Sequence, residues 1–196
     1  MFAGFWKTFL KLSSWKLVDP PPDLPKYVLI AAPHTTNWDL VYMQAIGYAS
    51  HMGVSWMGKH TLFKPPFGPI MRALGGVPVV RHERRNMVDQ MADEFAKRDR
   101  FIIAIPPEAT RKRSEHWRSG FYHIARAAGV PIVPGYLDYS KNEAGFGPPL
   151  YPSGDIRKDM DILRAFYSGK VGKYPEQFGP IRLKEEEPAQ EESPST

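Results

Sequence analysis

The sequence predicts a single layered α/β domain, in which helices flank a central mixed, largely parallel sheet, plus an amphipathic helix at the N-terminus. Its 196 residues fit one domain, and 42% hydrophobic and 24% charged residues are typical of a soluble globular protein. Short β-type runs alternate with helical stretches, as in layered α/β folds. We expect an N-terminal helix over residues 1–18, the domain over 19–183 and a disordered acidic tail over 184–196.

The first 17 residues predict an amphipathic helix. Apolar side chains recur at helical spacing along one stripe, formed by Phe2, Phe5, Trp6, Phe9, Leu10 and Leu17. Lys7, Lys11 and Ser14 lie opposite, and Asp19 with the three prolines that follow it ends the helix. Two interpretations are open: the apolar stripe packs on the domain, or it lies in a membrane interface.

The remaining elements follow in alternation. The pattern predicts strands over residues 27–32, 54–57, 77–80, 101–105 and 131–137, and helices over 38–50, 66–74, 86–99, 118–129 and 155–168. The stretch 138–154 is rich in Gly and Pro and predicts a hairpin or a loop.

The charge of the chain is divided unevenly. The tail carries five Glu and one Lys, so residues 1–183 hold 25 basic and 16 acidic groups, a net charge of +9 against +5 for the whole chain. Such a surplus suits a nucleic acid, an anionic lipid or a phosphorylated small molecule. The basic residues do not interleave with aromatics along one helix, so we expect no nucleic-acid partner.

Two absences narrow the chemistry and the location. The chain has no cysteine, which excludes disulfides, zinc–cysteine sites, iron–sulfur clusters and a thiol nucleophile. No apolar run approaches the roughly 20 residues that span a bilayer, and the N-terminus lacks the pattern of a signal peptide. We therefore expect a cytoplasmic protein.

The strongest catalytic candidates are His34 and Asp39, directly after the predicted strand 27–32. On a continuous helix these two side chains would diverge by about 140°, so they can meet only across a turn. Pro33 and the Thr-Thr-Asn run at 35–37 supply that turn. A carboxylate bonded to one imidazole nitrogen fixes the tautomer and leaves the other nitrogen as a general base for an alcohol.

Cationic residues follow two further predicted strands. Glu108, Thr110 and Arg111 stand in a Pro-initiated loop after strand 101–105, and Arg81 follows strand 77–80. Arginine binds phosphate with bidentate geometry, so convergent strand ends of this kind suit a phosphate monoester.

Other reaction classes lack their sequence patterns. No G-x-S-x-G elbow supplies a serine nucleophile, and the six histidines show no metal-ligand spacing. Walker and dinucleotide glycine patterns are also missing. We expect no metal and no cofactor.

Taken together, these residues resemble the glycerolipid acyltransferases typified by 1-acylglycerol-3-phosphate acyltransferases. The matching blocks, in chain order, are His34-x4-Asp39, residues 76–81, residues 107–111 and residues 130–134. Lys59 also stands where members often carry a lysine. The match covers roughly residues 27–137, and the ordered combination is far more specific than any single block.

The resemblance implies acyl transfer without a covalent enzyme intermediate. His34, held by Asp39, would take the proton of an acceptor hydroxyl, which attacks an acyl thioester. The donor would be acyl-CoA or an acyl carrier protein, and the acceptor a lysophospholipid. The enzyme would be a peripheral protein on the anionic inner face of the membrane.

The resemblance also assigns the binding residues. Arg81, Arg111 and Lys59 would bind the acceptor phosphate, while Glu108 and Thr110 would orient the acceptor. Pro33 replaces the family's usual Asn, and Ala109 replaces its usual Gly, so we expect a differently shaped loop after Glu108.

Two alternatives remain. The same site could hydrolyse thioesters or acylate an acceptor that is not a glycerophospholipid. From another class, the chain could be an inactive protein that binds anionic membranes or nucleic acid.

Overall fold

The computed structural model describes residues 3–80 and 84–187, with the backbone alone described for 84–86. Seven strands form one sheet in the order β1-β7-β6-β2-β5-β3-β4. The strands are β1 Lys16–Asp19, β2 Lys26–Ala31, β3 Val54–Lys59, β4 Gly76–Val79, β5 Phe101–Ile105, β6 Ile132–Asp138 and β7 Glu143–Phe146. The helices are α1 Ala3–Leu12, α2 Trp38–Ala49, α3 Gly68–Ala73, α4 Arg84–Lys97, α5 Gly120–Ala128 and α6 Ile156–Tyr167, with 3-10 turns at His60–Phe63, Pro175–Gln177 and Lys184–Glu186.

The predicted fold class is confirmed. The strand neighbours run parallel except for β6 and β7, which form an antiparallel hairpin. The turn and the second strand of this hairpin lie in the stretch 138–154, for which a hairpin or a loop was predicted. The central strands β2 and β6 are almost wholly buried, as expected for strands covered on both faces. Parallel pairing brings the carboxyl ends of β2, β3, β4, β5 and β6 to one edge of the sheet.

Alternating residues of β2 divide the core between the two faces of the sheet. Val28 and Ile30 pack with α4, α5 and α6 in the larger cluster. Tyr27 and Leu29 face the other way, toward the side where α1 and α2 lie. Helices α1, α2 and α3 therefore share one face, because α3 follows β3 on the side of Trp56 and Val54.

The N-terminal segment differs from the expected helix over residues 1–18. Helix α1 ends at Leu12, Ser14 adopts φ +60°, and Lys16–Asp19 pairs with β7 as an edge strand. The break lets Trp15 turn inward and stack on Tyr42 with ring centroids 4.4 Å apart. The stripe of α1 lies against α2, where Trp6 stacks on Tyr48. Phe2 lies outside the described residues.

The acidic tail begins with folded residues. In the turn Lys184–Glu186, a Glu186 oxygen accepts a hydrogen bond from Arg164 at 2.7 Å, and Ser119 donates to Glu185. The remainder of the tail, 188–196, lies outside the described residues. Across 3–80 and 84–187, no helix combines the length and apolarity that crossing a bilayer requires.

Candidate active site

The candidate site stands at the carboxyl edge of β2, where His34 and Asp39 meet. His34 Nδ1 lies 3.2 Å from Asp39 Oδ2. The His34 side chain is 19% exposed, whereas that of Asp39 is 1% exposed in the first turn of α2. A carboxylate facing Nδ1 favours the proton on that nitrogen, which leaves Nε2 as the basic atom.

The Asp39 carboxylate also folds the loop that carries the histidine. Asp39 Oδ2 accepts hydrogen bonds from the backbone amides of Thr35 at 2.8 Å and Thr36 at 2.9 Å. Its other oxygen, Oδ1, accepts from the Tyr139 hydroxyl at 2.7 Å. The aspartate thus closes the turn that the sequence required between residues 34 and 39, and its buried oxygens are satisfied.

Glu108 joins the loop after β5 to the histidine. Its Oε1 accepts a hydrogen bond from the His34 backbone amide at 2.7 Å, and the residue is 3% exposed. Its other oxygen is buried without a hydrogen-bond partner. Burial raises the pKa of Glu108 to about 7, with a smaller contribution from the Asp39 charge, although the His34 amide opposes the shift.

Glu108 makes a contact that the sequence analysis did not predict. The resemblance implies that it orients the acceptor, and in the structure its hydrogen bond also positions the backbone of His34. Ala109, the next residue, adopts φ +56°. The alanine therefore holds a left-handed conformation that glycine favours, at a cost in backbone strain.

Two of the three proposed phosphate ligands, Lys59 and Arg111, lie at the same edge of the sheet. Lys59 is the exposed last residue of β3, the strand that pairs with β5, and Arg111 is exposed in the loop after Glu108. Within 3–80 and 84–187 neither forms an ion pair. Thr110 is exposed, and its hydroxyl accepts from the Lys112 amide at 3.2 Å. Arg81 lies outside the described residues, two positions beyond the end of β4.

Sequence reasoning missed Tyr139 and the segment around Tyr174. Tyr139 directly follows β6, so its place at the carboxyl edge could have been inferred once β6 was paired with β2. The Tyr174 amide donates to the Thr35 hydroxyl at 3.3 Å, although the two residues are 139 positions apart. No local sequence pattern predicts such a contact.

In the described part of the chain, His, Asp and Glu form no cluster of three suited to a metal ion.

An apolar cavity opens beside the histidine loop, between α2 and the sheet. Its lining includes Pro33, Leu40, Met43, Trp56 and Phe146. Its walls come from strands β2, β3, β6 and β7 and from one face of α2. The site therefore combines a His–Asp pair, unpaired cations and an apolar cavity.

A family model described as Acyltransferase matches residues 21–138, which include the histidine, the aspartate and the loop after β5. The chain belongs to the acyltransferase family.

Relatives in this acyltransferase family include curated bacterial enzymes. The 1-acyl-sn-glycerol-3-phosphate acyltransferase of Escherichia coli (strain K12) is 30% identical over 131 residues, 63% of this chain and 52% of that protein. The enzyme of the same name from Streptococcus pneumoniae is 26% identical over 181 residues, 82% of this chain and 67% of that protein. The chain thus spans about half the length of the Escherichia coli enzyme.

A solved structure supports the fold. The crystal structure of the 1-acyl-sn-glycerophosphate (LPA) acyltransferase from Thermotoga maritima superposes with a TM-score of 0.58 at 16% identity, covering 88% of this chain and 80% of that one. At that identity the likeness concerns the architecture of this acyltransferase-family chain, not its substrate.

Proposed function

We propose that this protein transfers a fatty acyl group from an acyl thioester, acyl-CoA or acyl carrier protein, to the hydroxyl of a lysophospholipid such as 1-acylglycerol-3-phosphate. The observation that carries the proposal is the approach of His34 Nδ1 to a buried Asp39 carboxylate held by Thr35, Thr36 and Tyr139. The names of the curated relatives support the choice of acceptor.

The proposed chemistry is a direct transfer. His34 Nε2 takes the proton of the acceptor hydroxyl while the oxygen of that hydroxyl attacks the thioester carbonyl. The tetrahedral intermediate then collapses, breaking the carbon–sulfur bond, and the leaving thiolate takes the proton from the imidazolium. Because the chain has no cysteine, no thiol of the enzyme competes as nucleophile. General-base assistance contributes about 10²–10⁴ in rate.

Binding of the two substrates divides between the polar edge and the apolar cavity. Lys59 and Arg111 are exposed cations without ion-pair partners in the described residues, and with Arg81 they would neutralise the acceptor phosphate. Thr110, beside Arg111, would help to orient the acceptor. The cavity between α2 and the sheet has a lining of aliphatic and aromatic side chains suited to an acyl chain.

The lipid substrate and the charge of the chain favour a peripheral position on an anionic membrane, on its cytoplasmic face. The net charge of +9 over residues 1–183 would be attracted to anionic headgroups. Helix α1 leaves Phe5 and Leu12 exposed while its other apolar residues face α2.

The test is an assay of both products. Purified protein is given acyl-CoA or acyl carrier protein with lysophosphatidate, lysophosphatidylcholine or no acceptor. Free thiol is measured with a chromogenic disulfide, to which the cysteine-free chain does not respond, and acylated lipid by mass spectrometry. We expect equal amounts of thiol and diacyl product with lysophosphatidate.

Three variants accompany the assay. His34→Ala should lower the rate at least 100-fold. Asp39→Asn should fold, since an amide can accept from the two threonine amides and donate to Tyr139, yet lose most of the rate with the charge. His123→Ala, which removes an exposed imidazole on α5, should retain the rate.

Three outcomes would contradict the proposal. Thiol release without acylated lipid would indicate a hydrolase, and no thiol release would indicate a binding protein. An active His34→Ala variant would exclude His34 as the general base.

A further inference from the structure

The excursion between β3 and β4, residues 60–75, exposes large apolar side chains. Phe67 is 64% exposed and Ile70 is 55% exposed. Leu62 and Leu74 are each about half exposed. We call this set the α3 patch: Leu62, Phe67, Ile70 and Leu74. A cluster of four large hydrophobic residues within 13 positions differs from the scattered apolar residues of ordinary surfaces, which need no partner.

The outward orientation of the α3 patch is fixed by the packing beneath it. The excursion buries Phe63 in a slot between Gly58 and Gly76, where a Cβ atom on either glycine would stand 2.8 Å from the Phe63 ring. Trp56 Nε1 donates to the Leu74 carbonyl at 2.9 Å, which ties the end of α3 to β3. The patch is therefore held outward by the fold and is not a loose loop.

The charged residues within the excursion and in the chain on either side of it, residues 40–82, have one sign. Residues 40–82 contain no Asp or Glu, and Lys59, Lys64 and Arg72 are exposed within or beside the excursion. A symmetric pairing of two copies through this surface would bring these cations together. An anionic bilayer instead offers acyl chains to the apolar residues and negative headgroups to the lysines and the arginine.

The position of the patch relates it to the apolar cavity. Trp56 lines the cavity, and its indole nitrogen is the group that holds Leu74. The patch and the cavity lie on the same face of the sheet, the face covered by α1 and α2. A surface docked through the patch would lie beside the cavity.

We propose that the α3 patch docks on an anionic phospholipid bilayer, as a contact separate from helix α1. The inference rests on the membrane association proposed above and is independent of acyl transfer. It places two contacts with the bilayer on one face of the protein, with the cavity between α2 and β3 near them.

The first test measures the binding of the full chain to vesicles. Vesicles of phosphatidylcholine with 30% phosphatidylglycerol, and of phosphatidylcholine alone, are sedimented with the wild-type chain and with the double variant Phe67→Ser/Ile70→Ser. We expect the double variant to bind the anionic vesicles at least tenfold more weakly, with unchanged circular dichroism. The matched control is Ile162→Ser, on the opposite face in α6 and 46% exposed, which should bind within twofold of the wild type.

The second test locates the contact and stays informative if the double variant misfolds. Because the chain has no cysteine, Phe67→Cys and Ile162→Cys each accept one environment-sensitive dye. Anionic vesicles should shift the emission of the dye at position 67 to the blue and leave the dye at 162 unchanged.

Each contrary result has a distinct meaning. If the wild type sediments with anionic vesicles but the emission of the dye at position 67 does not change, the proposal is overturned and α1 is left as the membrane contact. A dye response at 67 that depends on protein concentration without vesicles would assign the patch to self-association instead. No sedimentation of the wild type would overturn both the patch and the membrane association, while the acyl transfer assay would stand unaffected.

Discussion

The Tyr139 hydroxyl donates a hydrogen bond to Asp39 Oδ1 at 2.7 Å, on the side of the carboxylate that faces away from His34. Burial and the adjacent Asp39 raise the pKa of Tyr139 above its ordinary value, so the phenol keeps its proton and acts as a donor. The Tyr139 ring in turn packs edge-to-face against the Trp15 indole, with ring centroids 4.9 Å apart. The orientation of the candidate catalytic aspartate therefore depends on a residue that directly follows β6.

Replacing Tyr139 by Phe should impair both stability and turnover. The variant leaves a buried carboxylate oxygen without its donor, which costs about 1–3 kcal/mol. Since the freed carboxylate can rotate away from Nδ1 of His34, we expect kcat to fall about tenfold with little change in KM. Urea denaturation and steady-state acyl transfer measure the two effects.

The matched control for Tyr139 is Tyr122→Phe, which removes another buried bond from a tyrosine to an aspartate, 2.8 Å from the Tyr122 hydroxyl to Asp159. This control should lose stability and keep kcat. Equal losses of kcat in the two variants would mean that Tyr139 acts through stability alone.

Glu108 should make the stability of the protein depend on pH. Its pKa is about 7 in the folded protein, above the ordinary value of 4.5, so the folded state binds more protons between these values. Its contribution is fully present below about pH 4.5 and is lost as the pH rises through about 7, at a cost of up to about 3 kcal/mol.

The variant Glu108→Gln tests this dependence, because its side chain does not titrate and still offers an oxygen to the His34 amide. We expect the difference in free energy of unfolding between pH 5 and pH 8 to be smaller in the variant than in the wild type. The same difference in both proteins would show that Glu108 does not titrate in this range.

Ala109→Gly should stabilise the protein. At φ +56° an alanine is strained by about 1–2 kcal/mol, part of which the greater freedom of glycine in the unfolded chain offsets. We expect a net gain of about 0.5–1 kcal/mol, seen as a higher Tm. Ala92→Gly, in the interior of α4, should have the opposite sign and cost about 1 kcal/mol.

Trp15→Ala should destabilise the domain by about 3 kcal/mol, because it removes a buried indole that stacks on Tyr42. Trp38→Ala, which removes a half-exposed indole, should cost less than about 1 kcal/mol. Thermal unfolding compares the two. A small loss for Trp15→Ala would mean that the N-terminal segment is not part of the core.

Much of the fold was predictable because each of the strands β2 to β6 carries its own apolar signal. Phe101–Ile105 is an unbroken apolar run, and its predicted bounds coincide with β5. The break at Ser14 was not predictable, since residues 3–17 keep helical periodicity throughout. Tertiary burial of Trp15 between Tyr42 and Tyr139 favours the break, and those rings come from distant parts of the chain.

The candidate site was predictable where partners are near in sequence. His34 and Asp39 are five residues apart, and their meeting requires only a turn. The Glu108 contact joins positions 74 residues apart, and the direction of its carboxylate depends on how β2 and β5 pair. Residue type and spacing identified Glu108 as a candidate, but its role in holding the histidine backbone needed the register.

The register between β2 and β5 has a consequence for destabilised variants of the protein. Ile30 faces Ile105 in the β2–β5 ladder, and from there the chain runs four residues to His34 and three to Glu108. A slip of one residue between these strands would separate the two ends of the hydrogen bond. A molecule mispaired in this way would lack the contact that positions the backbone of His34, so a mutation that causes such a slip should lower the fraction of active enzyme.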